Sequence, residues 1–255
     1  IIKQLGERYK KDLGATEDSI IKARDQIKFS TDLGKSVQDA DLLIEAIPEN
    51  PKIKTDFYQK FSKLAPAKTI FATNSSTLLP SQFADATGRP EKFLALHFAN
   101  EIWIHNTAEI MGHPKTDPKI YEEVVTFAKS IGMVALPLKK EQPGYILNSL
   151  LVPLLASATQ LLANEVADPQ TIDKTWMIAT GAPMGPFGIL DVVGITTAYN
   201  INKIAAEATK DPLKIKTAEL LKANFIDKGK LGVSTGEGFY KYPNPEYQKK
   251  DFLKA

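Results

Sequence analysis

One of the three histidines in this 255-residue chain stands where an imidazole could do chemistry. His97 closes the apolar run FLALH (93–97), and Glu109 lies inside a second apolar run, TAEIM (107–111). A carboxylate within a strand is costly to desolvate and normally has a partner. An imidazole held by a carboxylate is the usual arrangement for a general base of fixed tautomer. The expectation is that Glu109 orients His97 and that the chain brings a substrate and a cofactor to the pair. His105 and His113 lie in loop-like positions and read as surface residues, and Glu49 and Glu101 read as solvated. The histidines and acids show no metal-ligand spacing, so no metal site is expected.

The elements that must position this pair begin at Asp41. LLIEAI (42–47) is a short, nearly continuous apolar run, as in a strand buried on both faces. Asn50–Pro51 opens a helix to about Leu64, and TIFAT (69–73) is a strand running into Asn74, Ser75 and Ser76. A short helix at 81–86 precedes strand 93–97. After 107–111, Asp117–Pro118 starts a helix that stops at Gly132, and MVALPL (133–138) reads as an edge strand because Pro137 cannot donate. Alternating strands and helices imply an α/β fold with a mostly parallel sheet, whose ligands bind at the carboxyl ends of the strands. Glu45, Asn74 to Ser76 and His97 all fall at or near that edge.

Before Asp41 the chain is polar, with Leu5, Tyr9, Leu13 and then Ile20, Ile21 and Ile27 spaced for two helices broken near Gly14. Beyond Lys140 the texture is helical. Tyr145 to Ala163 is apolar nearly all round and reads as a core helix at a domain or subunit contact rather than a membrane span, since Asn148, Ser149, Pro153, Ser157 and Gln160 interrupt it. Asp168–Pro169 caps a helix to about Thr180. A Gly/Pro loop (181–188) and helices at about 190–208 and 212–228 follow, then turns through TGEGFYKY (235–242). The formal net charge of +2, without a basic cluster, argues against a nucleic-acid partner. The absence of cysteine excludes disulfides and thiolate chemistry and suits a reducing, cytoplasmic setting.

ADLLIEAIPEN (40–50), NSS (74–76), LHFAN (96–100), TAEIM, PGYILNSLLVP (143–153), ID (172–173), GAPMGPFGILDVVG (181–194) and TGEGFYKY together resemble the 3-hydroxyacyl-CoA dehydrogenases, in family order and across nearly the whole chain. The resemblance is to the short-chain, 3-hydroxybutyryl-CoA dehydrogenase-like members. It implies an NAD-dependent oxidoreductase that interconverts (S)-3-hydroxyacyl-CoA and 3-ketoacyl-CoA. It also implies a Rossmann-type domain (1–140) followed by an all-α domain (141–255) that makes a homodimer. By the same resemblance, His97 is the base, Glu109 its carboxylate partner, and Ser76 and Asn148 the polar residues around the substrate oxygen. Glu45, Asn50 and Asn100 fall where the family contacts the nicotinamide half of NAD, and Asn74 and Ser76 at the same edge complete the expected cofactor set.

Two departures qualify the match. No G-x-G-x-x-G occurs, and the chain opens on helices without methionine. The expectation is therefore an N-terminally incomplete sequence, lacking the first strands and phosphate turn, that binds NAD poorly by itself and is inactive alone. The family's usual proline after LHFAN is also absent, and Trp103 nearby predicts a short, closed acyl pocket. Two alternatives are a dehydrogenase of free hydroxy or sugar acids, disfavoured because only Arg8, Arg24 and Arg89 could serve as arginine cations, and a non-catalytic dimerisation module.

Overall fold

The computed structural model describes residues 2–254, which divide into two compact units on either side of the junction between residues 149 and 150. In the first unit, helices α1 (Ile2–Leu13) and α2 (Glu17–Gln26) precede a short α3 (Leu33–Val37). Strands β1 (Leu42–Glu45), β2 (Ile70–Thr73), β3 (Phe93–Phe98), β4 (Thr107–Met111) and β5 (Val134–Leu138) then form one sheet in sequence order. Strands β1 to β3 are parallel, β4 runs antiparallel to β3, and β5 is parallel to β4. The reversal at β4 follows from a loop of eight residues (99–106), too short for a helical crossover.

Helices α4 (Pro51–Leu64) and α5 (Pro118–Ser130) cover opposite faces of this sheet. Each starts on an acceptor–proline pair: Asn50 accepts from the amide of Ile53 (3.1 Å), and Asp117 from that of Lys119 (2.8 Å). Strand pleating sends Phe71 and Phe93 to one face, against Tyr58 and Phe61 of α4. Ile70, Ala72, Leu94 and Leu96 go to the other, against Val124, Val125 and Ala128 of α5. Both faces of the central strands β2 to β4 are dry, which accounts for their unbroken apolar runs, whereas the outer strands are partly exposed at Ile44 of β1 and Val134 of β5.

Helix α6 (Tyr145–Ala163) runs into the second unit, which adds α7 (Pro169–Thr180), α8 (Pro186–Val193), α9 (Ile195–Thr209) and α10 (Pro212–Asn224). The expected single helix from about Leu190 is two, broken at Gly194 with φ +97°, and α8 starts earlier, at Pro186. The early start has a tertiary cause: Asp173, buried in α7, accepts from the amides of Phe187 (2.9 Å) and Gly188 (3.0 Å) and so caps α8 from outside its own chain segment. Asp191 does the same for the terminal turns, accepting from the amides of Phe239 and Tyr240 and the hydroxyl of Tyr242. A Cβ on Gly238 would lie 2.0 Å from the Asp191 carboxylate, so that approach requires glycine. In the single chain helix α6 is not covered on all sides: Leu150 is 71% exposed, with Ile146 and Leu147 exposed beside it.

Candidate active site

Strand register builds the centre of the site. His97 pairs directly with Glu109 across the β3–β4 ladder. Directly opposed residues in an antiparallel pair point to the same face with their Cβ atoms close together. Both side chains are buried, and His97 Nδ1 lies 3.0 Å from Glu109 Oε2. The other carboxylate oxygen, Oε1, accepts from the first free amides of α6, those of Ile146 (2.9 Å) and Leu147 (3.0 Å). Burial pushes the Glu109 carboxyl up, but the His97 hydrogen bond and these two amides outweigh it and hold the group below its ordinary range. An anionic Glu109 takes its hydrogen bond from Nδ1–H, which leaves Nε2 as the basic nitrogen.

His97 Nε2 faces Ser76 Oγ at 3.2 Å, in the turn after β2. Asn148, one turn into α6, donates from Nδ2 to the carbonyl of Ser76 (3.1 Å) and so ties that turn to the helix. Asn74 accepts from the Phe98 amide (2.8 Å), stitching the same turn to the end of β3. The four residues expected to do chemistry, His97, Glu109, Ser76 and Asn148, are therefore linked in one chain of hydrogen bonds at a single sheet edge.

The expected cofactor residues separate. Ser76 and Asn100 are exposed at this edge. Asn50 is also exposed, but its side-chain oxygen is used in capping α4. Glu45 differs most from expectation. It is 1% exposed, and its carboxylate is fully occupied by Lys54 Nζ (2.6 Å), Tyr58 OH (3.0 Å), Thr73 Oγ1 (2.9 Å) and the Ile47 amide (2.8 Å). It braces the strand end from beneath and offers nothing outward.

Glu49 takes the outward position instead. Read from sequence as solvated, it accepts from Ser75 and from both the amide and hydroxyl of Thr77, with the buried Lys54 ammonium 3.3 Å behind it. Burial raises the Glu49 carboxyl, but these donors and Lys54 more than offset that and hold it below its usual range. The one legible signal was Glu49 and Lys54 flanking the N-cap of α4, on a helix start that faces the sheet edge.

Three further expectations are corrected. His113 is buried against the ring of Phe93, not on the surface, and burial pushes its imidazole down. Glu101 is paired with Arg8. Trp103 does not wall a pocket beside His97: its indole donates to Asp12 (2.9 Å), meets Tyr9 edge-on and lies under Arg8, which fastens the 99–106 loop to α1.

The model for the NAD binding domain of 3-hydroxyacyl-CoA dehydrogenase matches residues 1–142, and that for the family's C-terminal domain matches residues 144–242. The chain belongs to the 3-hydroxyacyl-CoA dehydrogenases. It is 36% identical over 237 residues to the human mitochondrial hydroxyacyl-coenzyme A dehydrogenase, covering 92% of this chain and 74% of that protein. To a probable 3-hydroxybutyryl-CoA dehydrogenase of Deinococcus radiodurans it is 32% identical, covering 95% and 85%. Among solved structures, a diketoreductase described by its substrate-directed dual catalysis of dicarbonyl compounds is similar at 57% identity and a TM-score of 0.85, covering 94% of this chain and 84% of that one. The (S)-3-hydroxybutyryl-CoA dehydrogenase of Ralstonia eutropha superposes with a TM-score of 0.75 at 26% identity, covering 95% and 84%. The dehydrogenase is thus an NAD-dependent oxidoreductase of hydroxyacyl-CoA substrates, with a Rossmann-type sheet followed by a helical domain.

Proposed function

We propose that His97 is the general base of this dehydrogenase and Glu109 the group that fixes its tautomer. The single observation that carries the reading is the cross-strand pair itself: Nδ1 on a buried carboxylate at 3.0 Å and Nε2 turned to Ser76 at 3.2 Å. In the oxidising direction Nε2 takes the substrate hydroxyl proton, and Glu109 stabilises the imidazolium that forms. In the reducing direction the imidazolium returns that proton to the oxygen. Ser76 Oγ and the Asn148 amide hold the substrate oxygen, each contributing about 2–4 kcal/mol where charge develops.

NAD, when bound, supplies the hydride acceptor. The donor and acceptor set at the sheet edge fits the amide-bearing end of that cofactor. The Glu49 carboxylate, backed by Lys54, is an acceptor for an amide NH2 group, and Ser76, Asn74 and Asn100 line the same edge. Asn50 and Glu45 support this reading only as residues that shape the edge.

The thioester class is favoured over free acids by where the arginines go. Arg8 is on Glu101 and Trp103, Arg24 on Asp25, and Arg89 on the carbonyls of Ser62, Pro66 and Ala65. No arginine is left for a substrate carboxylate beside His97. The 57% identity to a diketoreductase supports a second substrate class, and dicarbonyl compounds without CoA are proposed as additional substrates.

Residues 1–140 are assigned to the cofactor domain and residues 141–255 to a helical domain that pairs with a second copy of the chain. The pairing is supported by apolar side chains left uncovered on helices, Leu150 (71%), Ile178 (63%) and Ile204 (67%). By length and composition α6 could also cross a membrane, but Asn148 in its first turn serves the site, so a soluble, cytoplasmic enzyme without nucleic-acid partners is the reading proposed.

The test is acetoacetyl-CoA reduction by NADH in the full-length protein and its His97→Ala variant. Loss of turnover by about 10³-fold or more is expected for removal of a base that acts as a unit with its partner. Unchanged turnover removes His97 from the mechanism.

A further inference from the structure

We infer that Tyr145 is a positioning residue for His97, acting through the face of its ring rather than through its hydroxyl. This rests on His97 being the base. The phenol ring is fully buried and stacked on the imidazole, with centroids 4.6 Å apart and planes inclined by 23°. No other ring in the described residues is stacked on His97.

The backbone shows what is spent to put the ring there. Tyr145 has φ +56°, a left-handed conformation that a bulky side chain avoids unless its surroundings impose it. Gly144 before it is also left-handed, at φ +78°. This double turn lets the side chain fold over the imidazole while the next two amides, of Ile146 and Leu147, reach Glu109 Oε1. Residues 145–147 therefore hold both members of the pair: the ring fixes the plane of the base, and the amides fix its carboxylate.

The hydroxyl tells against the other way of reading this residue. It is buried without a hydrogen-bond partner in the protein, so it anchors nothing. Burial first, then Glu49, Glu109, Glu45 and Glu141, push the phenol far above its ordinary range, so the ring stays neutral at any working pH. A neutral aromatic face beneath an imidazole attracts the charged form more than the neutral one. The stack therefore favours the imidazolium that forms as the alcohol loses its proton. The groups facing His97 are Glu109 from β4, Ser76 from the turn after β2 and Tyr145 from α6.

The experiment compares Tyr145→Phe, Tyr145→Leu and Tyr145→Met with wild type and His97→Ala. It measures kcat and KM for acyl-CoA and the thermal midpoint. Phe is expected to keep kcat within about twofold. Leu and Met are expected to lose about tenfold or more in kcat with KM within about threefold. Rescue by Phe separates ring from hydroxyl, and Met keeps the comparison open if Leu does not fold. The inference is overturned if either aliphatic variant that folds keeps wild-type kcat, or if Phe loses as much as Leu. If His97→Ala stays active the reading of the site itself fails. If it is dead while the aliphatic variants are unaffected, only the role of Tyr145 fails.

Discussion

Replacing Glu109 by glutamine changes one atom and should disable the base. The carboxylate accepts three hydrogen bonds, from His97 Nδ1 at 3.0 Å on Oε2 and from the Ile146 and Leu147 amides at 2.9 and 3.0 Å on Oε1. Glutamine has one acceptor end and one donor end. The two amides of α6 require the acceptor, so the NH2 group is left facing Nδ1. It can donate there only if the imidazole proton moves to Nε2, the nitrogen that must be bare to accept the substrate proton. Loss of the anion also removes a charge-assisted hydrogen bond worth about 1.5–3 kcal/mol to the imidazolium. Tautomer and charge together should lower kcat by about 10²–10⁴-fold, since a tenfold change is about 1.4 kcal/mol. The assay is single-turnover reduction of acetoacetyl-CoA followed by NADH absorbance, with circular dichroism to show that Glu109→Gln folds. A folded variant within threefold of wild type would refute both the assigned tautomer and the role of the carboxylate.

Three other perturbations probe what holds the site and the helical unit. Lys54→Met leaves the Glu45 carboxylate buried without its cation and should cost about 3–5 kcal/mol in urea unfolding; a loss below about 1 kcal/mol would show that Tyr58, Thr73 and Ile47 suffice. Gly238→Ala drives a Cβ to 2.0 Å from Asp191 and 2.8 Å from Gly232, so a loss of at least about 3 kcal/mol is expected from the same measurement. Burial pushes Asp191 up to about 6, against the pull of the Phe239 and Tyr240 amides. A carboxyl raised on folding contributes stability that is complete below its unfolded pKa, ordinarily 3.8, and lost as pH rises through about 6. The advantage of wild type over Asp191→Asn should therefore shrink by about 2 kcal/mol between about pH 4.5 and pH 8; an advantage that grows with pH would contradict it.

The sequence alone located the His97–Glu109 pair because the residues between Phe93 and Met111 spell two apolar runs with one titratable group in each, and the ladder brings those groups opposite one another. Caps were equally legible: Asn50–Pro51, Asp117–Pro118 and Asp168–Pro169 open helices where the acceptor–proline pairs stand. What escaped was set by packing across long sequence distances. Alternation along β1 places Glu45 in a strand but says nothing of Lys54 and Tyr58 closing over it. His113 looks like a loop residue until the Thr116 hydroxyl, bonded to the Phe93 carbonyl, pulls its turn against the sheet. Trp103 lies beside the site in sequence and is taken away from it by Asp12 and Tyr9 of α1.

Because His97 and Glu109 are rungs of one ladder, the loop of residues 99–106 can change length or composition without moving either. A deletion at its tip is absorbed there, whereas inserting a single residue within β3 or β4 would turn one partner to the far side of the sheet. Variation in the loop is therefore mechanically decoupled from the His97–Glu109 pair, and a library randomised over 101–106, which leaves Asn100 in place, should keep that pair's geometry far more often than one randomised within β3 or β4.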